Sequence, residues 1–281
     1  MLIARPIESA PREPARSRLL LALCAAALAL PALACGPDFP VTLLDARPQT
    51  LLELSEGVFA FEVARLLPQP QPGLQAQDAD GWNPPGEVRA TAEAQGLDGA
   101  SIEKIVAMRA SDSVATAQAV GAGLSPELLD YTAGAVAWNQ QAFDPAHAYF
   151  RAVIALPAAE RPLRGVWASY MDARSLVLNG DVAGADAAFA RTREWVIAGA
   201  ADPLGLGVAS FGEQARERLN RGDAVGAIRL YAQQAAYGSR SGSNSLLFVA
   251  RKAFVDAAMR ERLLADALGR QLLVAYLFAR S

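Results

Sequence analysis

A chain of 281 residues has room for an export signal plus one large domain or two small ones. Apolar residues make up 52% of it, enough to bury a sizeable core, and the dominance of alanine favours close-packed helices over sheet. The formal net charge is −3 and no basic patch stands out, which excludes nucleic acid as an expected partner.

The first elements address the chain to a compartment. Arg5, Arg12, Arg16 and Arg18 form a positive leader, diluted by Glu8 and Glu13. An uncharged, largely apolar run follows from Leu19 to Leu30, then Pro31 and the small-residue step Ala32-Leu33-Ala34. This order of positive, apolar and small-residue regions predicts an export signal over residues 1–34. The rival reading is an uncleaved membrane helix. A span needs about 20 apolar residues, and Pro31 and Gly36-Pro37 break the run short of that.

Ala32-Leu33-Ala34-Cys35 resembles the lipobox of bacterial lipoproteins, in which the cysteine becomes the lipidated first residue of the mature chain. The resemblance implies lipidation at Cys35 and membrane attachment through that anchor; ordinary export with Cys35 as a free thiol is the alternative. Cys24 leaves with the signal, so the mature chain holds one cysteine and no internal disulfide. Two or more acyl chains anchor stably, so the anchor needs no basic protein surface beside it. Similarity to other lipoproteins, with Gly36 after the cysteine, implies onward sorting to an outer membrane and a periplasm-facing location. A secreted or periplasmic protein is the alternative.

Residues 35–86 read as a tether, one helix over 50–66, and a Pro/Gly/Gln-rich linker over 68–86 that lacks apolar periodicity. Residues 87–281 read as helix upon helix. Ser101 is a candidate cap, Ser125-Pro126-Glu127 is a strong helix start, further starts fall near Pro162, Pro203 and Ser243, and Gly180 and Gly222 are stops. No β-hairpin signal occurs. The loop GSRSGSNS over 238–245 reads as a flexible connection.

An internal register appears at spacings of 39 and 42 residues. Gln141, Gly180 and Gly222 are each followed by alanine five residues on (Ala146, Ala185, Ala227) and by an aromatic nine on (Phe150, Phe189, Tyr231). Gly134, Ala173 and Ala215 fall in register upstream, as do Tyr131 and Tyr170. This looks like the tetratricopeptide family over about residues 125–238, with a degenerate fourth unit towards the end. The resemblance implies an all-α fold of antiparallel helix-hairpin repeats forming a short right-handed α-solenoid. Plain α-hairpin packing without that ancestry predicts the same helices. Small residues let paired helices approach, glycine permits the tight turn, and the aromatic fills the wedge between units.

Catalytic, cofactor and metal sites are not expected. His147 is the only histidine and has no Cys or carboxylate partner at ligand spacing. Asp144, Asp181 and Asp223 recur near turns and read as caps. No phosphate loop, nucleophile elbow or His-Glu-x-x-His pair occurs. The tetratricopeptide register implies a concave partner-binding surface of Tyr131, Trp138, Asn139, Trp167, Tyr170, Arg174, Arg216 and Asn220, residue types suited to holding peptides. The competing reading makes the Trp and Tyr residues core. Residues 272–279, LLVAYLFA, predict a last helix apolar on all sides, which needs a partner, a second copy or further repeats to cover it.

Together these observations predict a lipid-anchored envelope scaffold that binds protein or peptide partners. The alternative is the non-catalytic helical part of a peptidoglycan-processing enzyme system.

Overall fold

Residues 58–77 and 85–279 are described by the computed structural model of the chain, all within one unit, Leu54–Ser281. Thirteen α-helices and no strand occur among them, so the fold class is all-α. The first four are α1 (Phe59–Ala64), α2 (Pro85–Ala94), α3 (Gly99–Arg109) and α4 (Val114–Val120). Next come α5 (Pro126–Asn139), α6 (Phe143–Ala155), α7 (Gly165–Leu178), α8 (Val182–Ile197) and α9 (Leu206–Asn220). The last are α10 (Ala224–Ala236), α11 (Arg240–Ala253), α12 (Ala257–Ala265) and α13 (Ala267–Phe278). From α5 to α11 each helix packs on its neighbour in sequence, and α7 also touches α9. Cys35, the signal and the tether lie outside the described residues. Of the helix expected over 50–66, α1 is the described part.

The residues in register occupy equivalent places. Ala146, Ala185 and Ala227 are buried, as are Phe150, Phe189 and Tyr231 beside them. Ala173 and Ala215 are fully buried on the preceding helices, and a Cβ on Gly134 would stand 2.8 Å from the Phe150 ring. Gly180 and Gly222 turn the chain with φ of 74° and 83°, and Gln141 does the same at 61°, in a region that disfavours side chains. Asp181 and Asp223 cap α8 and α10 by accepting from the Gly184 and Gly226 amides. Asp144 does not cap: it lies inside the first turn of α6, whose N-cap position is Ala142.

Other helix starts differ from expectation by local chemistry. Asp98, not Ser101, caps α3; the Ser101 amide donates to its carboxylate. Ser125 caps α5 as expected. The start expected near Pro162 comes after a 3₁₀ turn, at Gly165, and that expected near Pro203 comes at Leu206, where Asp202 accepts from the Leu206 and Gly207 amides. The supposed flexible connection over 238–245 is the beginning of α11, capped by Ser239. Its glycine serves contact rather than freedom: a Cβ on Gly242 would stand 2.6 Å from the Ala235 backbone nitrogen of α10.

The described start of the expected linker, residues 68–77, is also part of the body. Leu74 is buried with Val196 of α8 and Val208 of α9, and the Gln71 amide donates to the Tyr237 hydroxyl at 3.0 Å. One buried leucine in a Pro/Gln-rich run leaves no periodicity to read. The last helix is covered on one side only. Leu272, Leu273, Ala275 and Tyr276 are buried, in a core shared with Phe59 and Val63 of α1, whereas Val274, Leu277 and Phe278 are exposed.

Candidate functional site

Three alternate helices, α5, α7 and α9, each turn one end into a shared open cleft of about 350 Å³. Trp138 comes from α5, Arg174, Val177 and Leu178 from α7, and Glu213, Arg216, Glu217 and Asn220 from α9. The spacing is helical: Arg174, Val177 and Leu178 are i, i+3 and i+4, as are Glu213, Arg216 and Glu217, so each set shares one face. The Arg174 guanidinium lies over the Trp138 ring, 5.0 Å from its centroid. Its Nε is 3.9 Å from the Glu213 carboxylate, which also pairs with Arg216 on its own helix. Glu217 accepts from Arg221 at 2.5 Å.

Four of the eight expected groove residues therefore meet at this cleft: Trp138, Arg174, Arg216 and Asn220. Tyr131 and Trp167 do not line it; both are core, with Tyr131 packed against Phe150 and edge-on to Trp167 at 5.7 Å. Tyr170 is half-buried against Phe189, and burial raises its hydroxyl pKa, with Glu213 adding to the effect and Arg174 and Arg216 opposing it. Asn139 is exposed at the end of α5 but is not a lining residue. Val177, Leu178, Glu213 and Glu217 were missed, although their spacing from Arg174 and Arg216 on the same faces carried the signal.

Two polar clusters brace the helices around the cleft. In one, Asp172 of α7 is fully buried and accepts from Arg191 of α8 at 2.5 Å, with Arg151 of α6 at 3.8 Å. The His147 Nε2 stands 2.9 Å from Asp172 Oδ1, off the hydrogen-bond line. The lone histidine thus has a carboxylate neighbour that only folding reveals. Arg191 also donates to Ser169, which accepts from Thr192 as well, so the hydroxyls tie α7 to α8.

In the other cluster, Glu127 of α5 is buried and its carboxylate accepts from the Leu163 and Arg164 amides at the head of α7. Arg164 is buried too; it donates to the Glu93 carbonyl at 2.6 Å and lies over Trp167 at 4.7 Å. Glu93 in turn pairs with Arg109, which joins α2 to α3. Burial raises the Glu127 carboxyl above its ordinary value, opposed by the amide hydrogen bonds from Arg164 and Leu163. These charges tie neighbouring helices together.

Among the described residues no group of three His, Cys, Asp or Glu could hold a metal ion, and no helix is long and apolar enough to cross a membrane. Comparison with family models, curated proteins and solved structures finds no match to this chain.

Proposed function

We propose that this chain is a lipid-anchored scaffold of a bacterial envelope, tethered through Cys35 at the periplasmic side of an outer membrane. It binds protein or peptide partners rather than transforming them. The observation that carries the reading is the meeting of Trp138, Arg174, Arg216 and Asn220, from three alternate helices, at one open cleft. The wall of that cleft alternates Arg and Glu around a Trp face and the exposed Leu178, and the Asn220 amide suits hydrogen bonds to an extended backbone. The equivalent alanines, aromatics and left-handed turns at 39- and 42-residue spacing support a short right-handed α-solenoid of the tetratricopeptide kind.

A photo-cross-linking residue at position 178 tests the cleft against one at position 106 on α3, because Leu178 and Val106 are comparably exposed, 53% and 63%. Discrete protein adducts from position 178 alone, lost on Arg174→Glu, are expected in envelope preparations. Adducts from both positions alike, or from neither, overturn the reading. Glycan adducts favour the helical part of a peptidoglycan-processing system instead.

A further inference from the structure

The C-terminal end of the unit differs from the rest in both charge and apolar exposure. Residues 240–281 hold seven Arg or Lys against three Asp or Glu, whereas residues 35–239 hold fifteen against twenty-four. On α11 and just past it, Leu247, Phe248, Arg251, Lys252 and Val255 recur at i, i+1, i+4, i+5 and i+8, all on one exposed face. Phe248 is 57% exposed and Val255 87%. On α13 the exposed Arg270 leads into a second solvent-exposed stripe, Val274, Leu277 and Phe278, the last 60% exposed.

One hollow lies beside each stripe, and both border α1. In one, Leu247, Phe248 and Arg251 border Phe59 and Tyr276. In the other, Arg65 at the C-cap of α1 borders Arg270, Val274 and Phe278 of α13, and Glu62 is the one acidic side chain lining either hollow. Arg251 and Lys252 make no ion pair among the described residues. A basic last turn complements the dipole of α11, but that role does not call for Phe248 and Val255 bare to water beside it.

We infer that this face docks on an anionic lipid surface, Phe248, Leu277 and Phe278 entering the headgroup boundary while Arg65, Arg251, Lys252 and Arg270 meet lipid phosphates. Exposed aromatic and aliphatic side chains rimmed by cations are the chemistry of interfacial binding, which needs no spanning helix. The charge imbalance selects the occupant. A second copy meeting the same face across a two-fold axis would set these cations against their own kind, whereas an anionic bilayer complements them along the whole patch. The inference is independent of lipidation at Cys35.

The test is co-sedimentation of the full chain carrying Cys35→Ser with vesicles of phosphatidylcholine alone or with about a third phosphatidylglycerol. The leader is common to all variants, so differences between them report the face. Binding to the anionic vesicles is expected to be at least about tenfold stronger and to fade as salt is raised to about 0.5 M. The pair Arg251→Gln with Lys252→Gln should weaken it by about 25-fold, about five-fold per charge. Phe248→Ser with Leu277→Ser should weaken binding about tenfold or more at unchanged charge. All four side chains are exposed, so thermal melts should match the parent. Three outcomes overturn the inference: variants that bind like the parent; no preference for anionic vesicles; or no vesicle binding at all. In the last case light scattering separates a dimer, dissolved by Phe248→Ser, from a monomer whose basic face awaits an acidic protein.

Discussion

The Glu127 carboxylate, rooted in the first turn of α5, accepts the Leu163 amide at 2.7 Å at the head of α7, 36 residues further on. The first turn of α7 has no side-chain cap of its own, so a residue of another hairpin serves it. Glu127→Ala strands buried amides and should cost about 1–3 kcal/mol, read as a lowered denaturation midpoint. Glu127→Gln keeps an acceptor and should cost less. Because burial raises the Glu127 carboxyl in the fold, the native state holds its proton to higher pH than the unfolded chain. This group's contribution is therefore most favourable in acid and falls as pH rises through the carboxylate range. Relative to Glu127→Gln, the parent should gain stability as pH is lowered from neutral; a difference that does not change with pH would contradict the assignment.

The repeat register can be weighed at its small residues. Ala185 and Ala227 are buried where helices touch, so enlarging either to Leu should overpack the contact by about 1–3 kcal/mol. Ala200 is exposed between α8 and α9, and Ala200→Leu should change little. Equal melting shifts at all three positions would count against the register.

Turn geometry gives a second, opposite pair of changes. A Cβ on Gly180 would meet no atom within 4 Å, so the cost of Gly180→Ala is the backbone alone, about 1–2 kcal/mol. Gln141 already bears that strain at φ 61°, and Gln141→Gly should relieve it, for a net gain up to about 1 kcal/mol after the added chain entropy. Denaturant titration of both variants reads the two signs directly.

The proposed anchor rests on Cys35. Cys35→Ser should abolish labelling by a palmitate analogue and leave only a membrane attachment that salt at about 0.5 M releases, whereas the lipidated parent stays in the membrane fraction. Labelling that survives the substitution would refute lipidation at this residue.

Much of the helical framework was legible in the sequence because its signals are local. Ser125-Pro126-Glu127 starts α5, and Gly180 and Gly222 stop helices where a left-handed residue is needed, since caps and turns depend on a few neighbouring atoms. The alanines and aromatics in register are buried, because a small residue lets paired helices approach and the aromatic beside it fills the space left. What only the tertiary structure decided is which side of each helix faces what. Residues 131–137 of α5 are buried on every side, so periodicity could not tell that Tyr131 enters the core while Trp138, two turns on, reaches an open cleft. The approach of His147 and the ion pair of Arg191 to Asp172, the reach of Glu127 to α7, and the burial of Leu74 in a Pro/Gln-rich run likewise join residues far apart in sequence. Composition marked Gly242 as a loop residue, yet the close approach of α10 makes it a helix contact. Local propensity is written in neighbouring residues; burial and charge pairing exist only once distant segments share a surface.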